Sequence, residues 1–84
     1  MKLDSFRRTR CISALKKLGF VIKKSRRGKH DKYMSPDVYL EQKRDRQPPF
    51  IMVPRGKLHC QDEIVKELRN LGGDELVREF ESYL

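Results

Sequence analysis

Gly19 constrains this chain more than any other residue, because it divides a helical pattern from a strand pattern with no linker between them. From Arg7 to Leu18, the residues Cys11, Ile12, Ala14, Leu15 and Leu18 gather on one side at helical spacing, while Arg10, Lys16 and Lys17 fall on the other. Asp4 or Ser5 is placed to cap this helix, and Gly19 supplies the left-handed residue that ends it. Phe20-Val21-Ile22 follows at once as a β-branched and aromatic run, which reads as a strand. Helix then strand implies a mixed domain.

The turn Arg26-Arg27-Gly28-Lys29 reverses the chain, and His30 to Met34 resumes it with the alternation of a second strand paired to the first as a hairpin. The stretch from Ser35 to Pro49 holds a Ser-Pro step, a charged and amide run, and Pro48-Pro49. It reads as an exposed loop or an extended hairpin tip, with Val38-Tyr39-Leu40 continuing a strand. Phe50-Ile51-Met52-Val53 is an apolar run stopped by Pro54, which cannot donate to a central ladder, so it is the third strand. Gln61 to Leu71 carries Ile64, Val65, Leu68 and Leu71 on one face of a second core helix, with Asp62 and Glu63 in the first turn where the helix dipole favours anions. Gly72-Gly73 ends it. A last helix from Asp74 or Glu75 places Leu76, Val77, Phe80 and Leu84 on a common face.

Eighty-four residues make one small domain, 1–84, with a core over 7–73 and a helical extension over 74–84; any active site on it is shallow and open. Charge is distributed unevenly along it. Residues 1–57 hold 17 Lys and Arg against 5 Asp and Glu, a balance of +12, whereas residues 58–84 hold 3 against 7, a balance of −4. A basic body of this kind attracts phosphate backbones through counterion release and long-range steering. Cys11 and Cys60 have neither CxxC spacing nor a partnering histidine pair, so no zinc site or disulfide framework is indicated. No apolar run approaches the roughly 20 residues that span a bilayer, and Met1-Lys2-Leu3-Asp4 lacks the apolar stretch of a secretory signal. A cytoplasmic protein with no membrane partner and no cofactor is expected.

His30 stands in Ser25-Arg26-Arg27-Gly28-Lys29-His30-Asp31-Lys32-Tyr33, a glycine turn crowded with cations. Histidine takes or gives a proton near neutral pH, so this is a suitable place for one that acts on a polyanion; the plainer alternative is a solvated histidine in a basic hairpin. Arg26, Arg27, Lys29 and Lys32 are candidates to bind RNA phosphates, as are Arg55 and Lys57 after the third strand. Tyr33 is a core residue or a base-stacking one, and His59 is a helix-entry residue or a general acid.

Leu15-Lys16-Lys17-Leu18-Gly19-Phe20, then Gly28-Lys29-His30, then Val53-Pro54-Arg55, in that order and at that spacing, resemble the HicA family of toxin ribonucleases over roughly residues 7–73. The resemblance implies an α+β fold like the double-stranded-RNA-binding domain, α-β-β-β-α, here with an extra C-terminal helix, and both main helices on one face of an antiparallel sheet. It also implies metal-independent mRNA interferase activity, with His30 at the position of the family's catalytic histidine, and a HicB-type antitoxin as partner. Lys29 replaces the serine that precedes that histidine in the family, and Gly56 stands where many members carry a second histidine.

Without a family, the residues leave two functions open: an endoribonuclease with His30 as general base, or a non-catalytic RNA-binding module of the same fold. Asp62 and Glu63 at the start of the second helix repel phosphate. They favour single-stranded or flexible RNA over the double-stranded mode.

Overall fold

The computed structural model describes residues 6–24, 28–56, 58 and 60–84. Helix α1 (Arg8–Lys17) buries Cys11, Ala14 and Leu15 and stops where the sequence places the stop. Gly19, at φ 95°, donates its N–H to the Lys16 carbonyl at 3.1 Å, and Phe20 donates to Leu15 at 3.0 Å. These two bonds close the helix end as a Schellman motif, and the buried Phe20 and Leu15 supply its usual apolar pair. The start differs from expectation: Arg7 occupies the N-cap with no side-chain cap, and Asp4 and Ser5 lie outside the described residues.

Strands β1 (Val21–Lys23), β2 (His30–Met34) and β3 (Phe50–Pro54) form one antiparallel sheet in the order β1-β2-β3. Ile22, Tyr33 and Ile51 make one cross-strand row on the inner face, and Asp31 and Val53 make the next. Tyr33, Ile51 and Val53 join Leu15 from α1 and Ile64, Leu68 and Leu71 from the long C-terminal helix in a single core. Each fully buried aliphatic side chain there contributes about 1.5–3 kcal/mol relative to exposure. Cys11 sits in this core, and burial pushes its thiol up to about 12.

The segment between β2 and β3 departs from the expected exposed tip. Pro36, extended at φ −65° and ψ 154°, opens a one-turn helix, α2 (Asp37–Leu40), so Val38-Tyr39-Leu40 does not continue a strand. Packing decides this: the Tyr39 ring stacks on Phe20 at 6.0 Å, and Leu40 also rests against the core. A run of three apolar residues fits either period, and the tertiary contact selects the helix. Farther on, Arg44 donates its N–H to the Asn70 carbonyl at 2.9 Å, and Gln47 is buried with its amide donating to the Phe50 carbonyl at 3.4 Å. This segment docks on the domain.

Helix α3 (Gln61–Ser82) contains a break at Gly73, whose φ of 73° and ψ of −170° are not helical. Two helical stretches therefore meet at the expected glycine pair. The first contributes Ile64, Val65, Leu68 and Leu71 to the core, and the second Leu76, Val77 and Phe80. Phe80 meets Phe6 edge-on at 5.3 Å, and the Gln61 amide donates to the Phe6 carbonyl at 3.1 Å, so both stretches hold the residues that enter α1. Among the described residues, no helix is long and apolar enough to cross a membrane.

Candidate functional site

The two-residue period of β2 separates its side chains into two sets with different chemistry. His30 and Lys32 project from the outer face and are exposed, whereas Asp31 and Tyr33 are buried on the inner one. His30 opens the strand opposite Pro54, and one step beyond it the Arg55 N–H donates to the Lys29 carbonyl at 2.8 Å. That bond fixes the hairpin mouth, with exposed Lys29 directly before His30 and Gly28, at φ 108°, before that.

Lys32 lies directly opposite Lys23 on β1 and opposite Met52 on β3. Both lysines are exposed on the same face, and the Lys32 Nζ stands 4.7 Å from the centre of the Phe50 ring. Like charges directly opposite one another disfavour strand pairing by about 0.2–1 kcal/mol. An anion between them reverses the sign of that term. None of the outward positions of the three strands, Val21, Lys23, His30, Lys32, Met34, Phe50, Met52 or Pro54, is acidic.

Asp31, between His30 and Lys32 in sequence, is 5% exposed and accepts a hydrogen bond from Arg55 Nε at 3.0 Å. A buried carboxylate needs such a cationic partner, and this one draws Arg55 to the inner side, away from the face that carries His30. Tyr33 is 1% exposed within the core, which leaves it no ring surface for a base, and burial raises its hydroxyl pKa. The structure thus groups His30 and Lys32 on the outer face, leaves Lys29 exposed next to them at the hairpin mouth, and places Arg55 elsewhere. Arg26, Arg27, Lys57 and His59 lie outside the described residues.

No protein-family model matches the chain, and neither a curated protein nor a solved structure does. The chemistry is therefore argued from the site itself. Among the described residues, no group of His, Cys, Asp and Glu side chains is assembled to hold a metal ion. Lys23 is the outer-face residue that sequence reasoning passes over. Its only signal is the register that sets it against Lys32, and that register is fixed by pairing rather than by local pattern.

Proposed function

We propose that this chain is an endoribonuclease of HicA type that cuts mRNA without a metal, on a fold like the double-stranded-RNA-binding domain, with His30 as general base. The observation that carries the reading is the exposed His30 on an open sheet face beside the cross-strand pair Lys23 and Lys32, with no acidic outward position on the three strands. The order and spacing of the HicA-like motifs support it independently.

In this reaction the neutral imidazole of His30 removes the 2′-hydroxyl proton of the nucleotide before the cut, and the 2′-oxygen forms a bond to the adjacent phosphorus. The bond from phosphorus to the 5′-oxygen breaks, and that oxygen takes a proton from water. A 2′,3′-cyclic phosphate and a 5′-hydroxyl result. Lys32 and Lys23, with Lys29 at the hairpin mouth, stabilise the charge that builds on the phosphoryl oxygens. Asp62 and Glu63 in the first turn of α3 disfavour duplex binding, so the substrate is single-stranded or flexible RNA.

A ribonuclease with so open a site needs restraint in the cytoplasm. The basic body calls for an acidic HicB-type antitoxin laid over the His30 face, with fast and salt-sensitive association. The deciding experiment incubates single-stranded mRNA in EDTA with the purified chain and with His30→Ala. Cleavage by the first, reduced roughly 10²- to 10⁴-fold in the second, is the expected result. Binding by both without cleavage by either identifies an RNA-binding module instead.

A further inference from the structure

We propose a second phosphate site for the same RNA strand, in the cleft between α1 and strands β1 and β2, formed by Arg8, Lys16 and Lys24; it rests on the RNA reading above. The cleft encloses about 620 Å³ and is lined by four cations, Arg8, Lys16, Lys24 and Arg55, against one carboxylate, that of Asp31. Asp31 is engaged by Arg55 at 3.0 Å, so these two cancel. Arg8, Lys16 and Lys24 remain, three positive charges around one opening.

Two features make this arrangement more than a solvated basic surface. Arg8 does not swing freely, because its Nε donates to the Pro54 carbonyl at 2.7 Å. A guanidinium held in this way has already lost part of the entropy that anion binding would cost it. The cleft is also continuous with the outer face. Lys23 projects on the His30 side of β1, and the next residue, Lys24, lines the cleft on the other side. β1 is an edge strand, and among the described residues no further strand lies beyond it in the sheet. An RNA chain leaving Lys23 and Lys32 crosses that edge and meets Lys24, then Arg8 and Lys16. The partly buried Ile12 and Ile22 in the floor offer no donors and Tyr33 beside them is only 1% exposed, which suits a backbone held by its phosphate rather than a base read by hydrogen bonds.

The test uses the His30→Ala chain, which binds RNA without cutting it, and the same chain with Lys16→Ala and Lys24→Ala, two exposed changes. Fluorescence anisotropy follows binding of a 12-nucleotide single-stranded RNA, and of the dinucleotide UpU, over a series of salt concentrations. Loss of one phosphate contact lowers the slope of log K against log salt by about 0.7 for the 12-mer. Affinity for UpU, too short to cross the β1 edge, is expected to stay unchanged. An unchanged slope for the 12-mer, equal weakening toward UpU, or no binding of the 12-mer by the parent overturns the cleft. Cleavage of the 12-mer by the chain that retains His30 is scored separately. Cleavage with an unaltered slope removes the cleft and keeps the ribonuclease; the expected slope change without cleavage does the reverse.

Discussion

Replacing Glu67 with glutamine is expected to alter the pH dependence of stability, and the sign follows from where the carboxyl sits. Burial pushes Glu67 from its ordinary 4.5 up to about 7; the hydrogen bond it accepts from the Met52 main-chain N–H on β3 opposes this, and neighbouring Glu63 adds to it. Between those two values the folded chain keeps the proton that the unfolded chain has released. The unfolded state then binds fewer protons, so stability falls as pH rises from about 4.5 through about 7 and is constant above that window. Each pKa unit corresponds to about 1.4 kcal/mol, and because this carboxyl is only partly shielded, solvent screening reduces the total effect to about 1–2 kcal/mol. Glutamine keeps an oxygen to accept from Met52 and has no proton to release. Urea unfolding of both proteins from pH 4.5 to 8.5 at fixed salt measures the difference directly. The advantage of Glu67→Gln over the parent is expected to grow by about 1–2 kcal/mol across the window. Every other ionisable side chain is common to both proteins and cancels in the comparison. Parallel stability curves would refute the placement of Glu67 in a shielded site.

Three other perturbations read different parts of the structure. Gly73→Ala forces a side chain onto a backbone at φ 73° and ψ −170°, a region essentially reserved for glycine, so thermal unfolding is expected to show a loss of about 1–3 kcal/mol; an unchanged Tm contradicts the break in α3. Asp31→Asn removes a charge-assisted bond to Arg55 and is expected to cost about 1–3 kcal/mol in urea unfolding while RNA cleavage below Tm persists, because Asp31 faces away from His30; lost cleavage in a folded variant places it in the chemistry instead. Co-expression with the neighbouring reading frame is expected to yield a complex with a small acidic protein that protects RNA at one equivalent, and failure to form it removes the antitoxin from the proposal.

Much of the frame is legible locally. The end of α1 can be read from Leu18-Gly19-Phe20, since a helix closing on glycine needs only its own carbonyls and one apolar pair. Gly72-Gly73 marks the break in α3 for a similar reason. The one-turn α2 is not legible, because Val38-Tyr39-Leu40 has no period of its own and is shaped by the Phe20 ring across the core. At the site, alternation through His30-Asp31-Lys32-Tyr33 already separates His30 and Lys32 from the buried pair once Tyr33 is assigned to the core. It also removes Arg55 from the His30 face, since a buried Asp31 attracts the nearest guanidinium. Lys23 and Lys24 cannot be assigned to opposite faces with known neighbours from sequence, because their places depend on the register of β1 against β2.

The chemistry of the cut ends tests the account most directly. Single-stranded mRNA is incubated with the purified chain in EDTA, and the fragments are examined by mass spectrometry. Attack by a 2′-oxygen whose proton has gone to His30 leaves a 2′,3′-cyclic phosphate on one fragment and a 5′-hydroxyl on the next, and those ends are expected to form roughly 10²- to 10⁴-fold more slowly with His30→Ala. Fragments ending in a 3′-hydroxyl and a 5′-phosphate, or cyclic ends that form at an undiminished rate with His30→Ala, would contradict it.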